Sequence, residues 1–120
     1  TMQVMKYLSK RYKLHIITNG FEEVQYIKLE ASGLKEYFDV IVTSEQVGVK
    51  KPENKIFKYA LEEAKAKSNE SVMIGDDLAV DILGAKEVGM KGVYFNPKKI
   101  MHNENIMYEI YCLSELMDLF

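Results

Sequence analysis

Short apolar runs alternate with longer amphipathic stretches along this sequence, and that alternation constrains the fold more than any other feature. Leu14–Thr18 (LHIIT), Asp39–Thr43 (DVIVT), Val72–Ile74 (VMI) and Lys91–Phe95 (KGVYF) read as strands closed by polar or turn-forming residues. The stretches around them carry helical spacing. Residues 1–11 place Val4, Met5 and Leu8, then Tyr12, on one face. Glu22–Ser32 has acids in its first turn and Val24, Ile27 and Ala31 along one side, and Gly33 fits the position just past its end. Leu34–Phe38 is a short connector of one helical turn, and Ser44–Lys51 reads as a polar loop. Pro52 reads as the first residue of a helix to about Ala66, with Ile56, Phe57, Ala60, Leu61 and Ala64 facing the core. Another helix runs from about Leu78 to Val88 and ends at Gly89. Gly84 inside it costs about 1 kcal/mol relative to Ala, which close packing on the sheet would explain. Asn96-Pro97 ends the fourth strand, and 98–107 is an irregular loop. Tyr108–Cys112 is a last strand, and Ser114–Leu119 a last helix capped by Ser114. Strands and helices in this order form right-handed βαβ units on a parallel sheet, an α/β fold.

The 120 residues allow one domain with a modest core. A net charge of −2, with no basic excess, argues against nucleic acid or an anionic membrane as partner. No apolar run approaches the roughly 20 residues that span a bilayer, and the N-terminal residues show no signal-peptide pattern. The one cysteine, Cys112, excludes an internal disulfide and fits a reducing, cytoplasmic compartment; its apolar neighbours predict a buried structural thiol. His15 lies inside a strand and reads as a packed or edge residue. His102 reads as an exposed loop residue, and the two form no metal-ligand pattern. The chain opens at Thr1 in what already reads as a structured region, so a fragment of a longer protein is expected.

Three short motifs follow strands, and a parallel sheet places them at one edge. Thr18-Asn19-Gly20 offers a hydroxyl and backbone N–H groups before a helix, a place for phosphate oxygens; Asn-Gly is also ordinary turn chemistry. Lys50-Lys51-Pro52 sets cations at the unfavourable end of a helix dipole, which a nearby anion would justify; a solvated lysine pair is the plainer reading. Lys51, next to the proline, is the better candidate. Gly75 then delivers Asp76, Asp77 and Asp81 to a helix start. A helix N-terminus favours one acid as a cap, and the repulsion among further ones would be relieved by a divalent cation such as Mg²⁺. The plainer reading is one cap and two solvated acids.

In this order the motifs resemble those of the haloacid dehalogenase-like hydrolase superfamily. The wider stretches ITNGFEEVQYIKLEASGLKEYFDVIVTSEQVGVKKPENKIFKYALEEA and VMIGDDLAVDILGAKEVGM resemble its pyrimidine 5'-nucleotidase type, over roughly residues 1–97. The resemblance implies a Rossmann-like parallel-sheet core in three layers, α/β/α, and a Mg²⁺-dependent phosphatase acting on a small phosphate ester, a nucleoside 5'-monophosphate above all. It implies that Thr18, with the backbone of Asn19 and Gly20, holds phosphoryl oxygens. Lys51 would neutralise charge shared by phosphate and nucleophile. Asp76 would bind Mg²⁺, and Asp81 would support the metal through water or orient Lys51. Asp77 falls at a variable position.

The chain departs from the family in one respect. The family's nucleophile and acid/base residue sit in a DxDx[TV] motif on a first strand, central in the sheet, and no such motif occurs here. The substrate-selecting cap between that strand and Thr18 is not in the sequence either. Residues 1–120 thus read as the C-terminal portion of a core domain, incomplete and inactive alone. A phospho-receiver domain has similar length and residues but in a different order, with its acid pair first and Lys-Pro last. A non-catalytic assembly module is a second alternative, because open strand edges favour a homodimer through exposed or swapped strands.

Overall fold

The computed structural model of the chain describes residues 2–20, 22–104, 106 and 108–120; the acidic turn expected at Glu22 and Glu23 lies outside the described side chains. All paired strands are parallel. β1 (Leu14–Thr18) pairs with β2 (Phe38–Thr43), and β3 (Val72–Gly75) with β4 (Lys91–Phe95), which pairs in turn with β5 (Tyr108–Ile110). Thr18 stands beside Thr43, and Gly75 beside Tyr94. Parallel neighbours need a crossover rather than a tight turn. The crossovers carry α2 (Glu22–Ser32), α3 (Ser44–Val47), α4 (Asn54–Ala64) and α5 (Gly84–Glu87), while α1 (Met2–Ser9) precedes β1 and α6 (Leu116–Leu119) follows β5.

Helices cover both faces, giving the three layers. On one face Val42, Ile56, Phe57, Ala60, Ala85 and Met90 join β2, α4 and α5. On the other, Val4, Leu8, Val93, Ile110 and Leu116 join α1, β4, β5 and α6. Leu14 packs into the second cluster and Ile17 into the first, as the alternation of a strand requires. Ile56 and Phe57 expose no surface, each contributing about 1.5–3 kcal/mol of burial.

Among the described residues β1 and β3 belong to separate sheets. A cleft of about 350 Å³ lies between them, lined by Leu14 and Ile16 on one side and by Val72 and Ile74 on the other. His15 also lines it, with Nδ1 buried and without a hydrogen-bond partner. Burial pushes the His15 pKa down; Asp39 opposes that shift and Lys13 adds to it.

Several local expectations are corrected. The 44–51 segment is not all loop, because the Thr43 hydroxyl accepts the Gln46 N–H at 3.1 Å and caps α3, which Gly48 ends at φ 90°. Pro52 does not open a helix. It follows a cis peptide in a turn closed by Glu53 N–H to the Lys50 carbonyl, and α4 starts at Asn54. The helix expected over 78–88 divides into a π-helical stretch, Leu78–Leu83, and α5. Gly84 is made necessary by α4, not the sheet: a Cβ there would lie 2.8 Å from Phe57 Cε2 and 3.0 Å from Pro52 Cβ. The apolar face expected on α2 is exposed at Val24, Ile27 and Ala31. β5 stops at Ile110. Ser114 caps nothing there, since the Glu115 carboxylate takes the Tyr111 and Cys112 N–H groups at 2.6 and 2.9 Å, which hold its pKa below the ordinary value. Cys112 is therefore exposed rather than buried. His102 is half-buried, its Nε2 2.6 Å from Glu109 Oε1, and that bond and one from Asn96 hold the Glu109 carboxyl below its usual pKa. No described helix is long and apolar enough to cross a membrane.

Two outcomes follow from this packing. Alanine gains about 1 kcal/mol over glycine inside a helix, whereas overpacking costs about 1–3 kcal/mol. Gly84→Ala should therefore lower the unfolding free energy in urea titrations, and in a double variant with Phe57→Leu the loss should be less than the sum of the two. Burial makes folded His15 harder to protonate, whereas the unfolded side chain takes a proton below about pH 6.5. Its contribution is thus present above that pH and is lost as pH falls through the lowered folded value. His15→Leu should flatten that limb of the stability curve and leave the limb above about pH 7 unchanged in slope.

Candidate functional site

The carboxyl ends of β1, β2 and β3 are joined by a chain of polar contacts that crosses four connecting segments. Thr18, half-buried at the end of β1, accepts the Gly20 N–H on its Oγ1 at 3.1 Å, a local turn that leaves the hydroxyl hydrogen free to donate elsewhere. Asn19 extends the chain in two directions. Its main-chain carbonyl accepts the Ser44 hydroxyl at 3.1 Å, while its side chain meets Lys51, with Oδ1 accepting the Lys51 N–H at 2.8 Å and Nδ2 donating to the Lys51 carbonyl at 3.3 Å. The Lys51 ammonium then donates to Asp81 Oδ1 at 2.6 Å. Asp81 Oδ2 accepts the Asp77 N–H at 3.2 Å.

The sequence after β3 folds to present these acids differently from one another. Asp77 is the cap, accepting the Val80 N–H at 3.0 Å. Asp76, one residue nearer the strand, is exposed. Asp81 lies in the π-helical stretch, a form often found at functional sites, and is only 4% exposed. Its carboxylate folds back over Gly75, where a Cβ would stand 2.3 Å from Oδ2; no other residue fits that close approach.

The Lys51 and Asp81 side chains are 11% and 6% exposed. Two charges so far from water depend on one another, because removing either strands its partner uncompensated. Through Asp81 the pair ties the Lys51 ammonium to the Gly75–Asp77 turn, which carries the exposed Asp76.

Among the described residues no three His, Cys, Asp or Glu side chains group as a ready-made metal cage. Mg²⁺ does not require one, since it commonly takes one or two carboxylates and keeps water or phosphate oxygens in its remaining positions. The exposed Asp76 carboxylate suits such an ion as a protein ligand. Asp81 accepts from the Lys51 ammonium on one oxygen and from the Asp77 N–H on the other, which leaves lone pairs for a metal or a metal-bound water.

Of the residues singled out from sequence, Asn19, Lys51 and Asp81 thus share one bonded network, with Thr18 and Gly20 adjoining it through Asn19 and Asp76 through Asp77. The reading of Asn19 as a backbone donor overlooked its side chain. Ser44 was missed, and the cap expected of one of the three acids falls on Asp77. An Asp three residues before Val80 was a legible cap signal; nothing local announced the Asn19–Lys51 contact across 32 residues.

A family model described as haloacid dehalogenase-like hydrolase matches residues 1–95. Over 85 residues the chain is 48% identical to the pyrimidine 5'-nucleotidase YjjG of Escherichia coli K12, covering 70% of this chain and 38% of that protein. It is 41% identical over 110 residues to the glyceraldehyde 3-phosphate phosphatase of Pyrococcus furiosus, covering 90% of this chain and 46% of the relative. The structure is similar to that of a HAD phosphatase from Thermococcus onnurineus, with a TM-score of 0.94 and 40% identity over 99% of this chain and 55% of the other. It is also similar to the putative HAD-hydrolase YfnB of Bacillus subtilis bound to magnesium, with a TM-score of 0.91 and 32% identity over 98% of this chain and 52% of the other. The chain therefore spans about half the length, or less, of the proteins it resembles.

Breaking a buried pair costs about 3–5 kcal/mol, and removing both charges costs far less than two single losses. Asp81→Ala should lower the unfolding free energy by about 3 kcal/mol or more, and Lys51→Met added to it should restore part of that loss in urea titrations.

Proposed function

The chain belongs to the haloacid dehalogenase-like hydrolase family, and we propose that it forms the phosphate- and Mg²⁺-supporting half of a phosphomonoesterase core. The observation that carries this reading is the Lys51–Asp81 pair, bonded through Asn19 to the end of β1. Phosphoryl transfer asks a protein chiefly for positioning and for positive charge around three spread-out oxygens. The Thr18 hydroxyl and the adjoining backbone N–H groups hold phosphoryl oxygens. The Lys51 ammonium, kept in place by Asp81, balances their charge. Asp76 would hold Mg²⁺, whose charge would offset that of the phosphate and lessen its repulsion of an approaching carboxylate.

The nucleophile in this reading is an aspartate of a DxDx[TV] strand, a motif absent from residues 1–120. Such a strand would enter the cleft between β1 and β3 and bring its carboxylate to the edge where Thr18 and Gly75 end their strands. The aspartyl-phosphate would form there and be hydrolysed. These 120 residues by themselves would then bind without turning over. Nucleoside 5'-monophosphates are the proposed substrates, a choice supported by the 48% identical relative, and the cytoplasm is the proposed location.

The test is expression of the complete coding sequence that contains these codons, assayed for phosphate release from nucleoside 5'-monophosphates and from triose and sugar phosphates, with Mg²⁺ and with EDTA. Mg²⁺-dependent release, lost by at least a hundredfold in Asp76→Ala and absent from residues 1–120 alone, is expected; a loss of that size is what one preorganised electrostatic group is worth. Turnover by residues 1–120 themselves, or full activity in Asp76→Ala, would refute the reading.

A further inference from the structure

We propose that the Asn19 side chain is a positioning residue, setting where the Lys51 ammonium stands by pairing with both polar groups of the Lys51 backbone. This rests on the phosphohydrolase reading of the site. Lys51 lies between α3 and α4, outside any helix or strand, so no regular hydrogen-bond ladder fixes its main chain. Its N–H meets Asn19 Oδ1 at 2.8 Å and its carbonyl meets Nδ2 at 3.3 Å. A carboxamide presents one acceptor and a donor side by side, which is the complement of a single residue's N–H and C=O. The two contacts also dictate which way the amide faces. Aspartate would accept the N–H but repel the carbonyl, and alanine would do neither.

Asn19 is itself held. Its carbonyl is tied by Ser44 to the end of β2, and the Thr18–Gly20 turn closes around it. Position is therefore transmitted from the sheet to Asn19, from Asn19 to the Lys51 main chain, and along the side chain to an ammonium whose far end rests on Asp81. A lysine stem is long and freely rotating, so anchoring only its tip leaves the base free to wander. Asn19 anchors the base and Asp81 the tip. Because Asn19 is exposed, losing its side chain leaves no buried group stranded, and positioning separates from folding. An Asn-Gly turn formed for its own sake would not need the carboxamide to reach a residue 32 positions away.

The full-length product is assayed as wild type, Asn19→Ala, Asn19→Asp, Lys51→Ala and the Asn19→Ala/Lys51→Ala double variant, with kcat and KM at saturating Mg²⁺, thermal midpoints, and hydrogen exchange of the segment holding the Lys51 amide. Asn19→Ala should lower kcat by about tenfold to a hundredfold, the scale of a small misplacement, with KM and the thermal midpoint little changed. It should cause no further loss in the Lys51→Ala background, and exchange at Lys51 should quicken. Asn19→Asp should fall between. Wild-type kcat in Asn19→Ala, a loss that adds in full to that of Lys51→Ala, or unchanged exchange at Lys51 overturns the proposal. Hydrolysis that survives Lys51→Ala undiminished removes Lys51 from the chemistry, and the catalytic role of Asn19 with it, whereas a full-length wild type that releases no phosphate refutes the phosphohydrolase reading itself.

Discussion

One short ion pair organises the functional edge of this molecule. Lys51 and Asp81 meet at 2.6 Å with little water around either. Neither tolerates that environment without the other, so the segments that carry them must arrive together. The demand reaches outward from there. Gly75 has no side chain because the Asp81 carboxylate occupies that space. Asp77 turns its backbone N–H toward the same carboxylate while its side chain caps the next turn. The Lys51 main chain is pinned by Asn19, and Asn19 by Ser44. A contact between two residues 30 positions apart thus accounts for the identity or placement of several others.

What could be read from the sequence followed a simple rule: patterns with a short period were legible, and contacts between distant segments were not. β1 and α2 have the expected limits, and β2 and β4 agree to within a residue, because alternation and helical spacing are local properties. The expectation at Pro52 failed because a proline fits the first turn of a helix and a tight turn equally well. Gly84 was recognised as unusual, but its reason lay in the Phe57 ring, about a quarter of the chain away in sequence. Cys112 looked buried from its neighbours, yet Glu115 captures the backbone there and turns the thiol outward. The apolar residues of α2 have helical spacing and are nevertheless exposed, which periodicity alone cannot foretell. In the site, residue types and order pointed to phosphate chemistry. The resemblance already distinguished the three aspartates and offered Asp81 as a partner for Lys51; the coordinates add that bond and the cap at Asp77.

The cleft between β1 and β3 joins these observations. Val72 and Ile74 are exposed on one lip, at 36% and 37%, while Met73 between them packs against the core of the opposite face. Apolar side chains and unpaired backbone along facing parallel strands form an edge of the kind that proteins usually cover or blunt. The solved structures it resembles are about twice as long as this chain, so further chain is available to them to fill such a gap. A strand inserted here would satisfy backbone groups on both lips, bury Val72 and Ile74, and meet the orphaned ring nitrogen of His15 on the β1 side. The same insertion would carry a carboxylate to the edge where the Lys51–Asp81 pair waits.

On the proposed reading, a catalytic centre would be divided into supports and an attacking group borne on different stretches of chain. These contacts need no further stretch of chain, because the ion pair, the cap at Asp77 and the Asn19 clamp are all internal to residues 19–81. A nucleophilic carboxylate brought in alone would repel a phosphate dianion. Brought in beside a fixed ammonium and a metal-binding acid, it meets a phosphate whose charge is already balanced. If the proposed reading holds, preorganisation of the supports, rather than any property of the nucleophile, is what the folding of this segment would contribute to the chemistry.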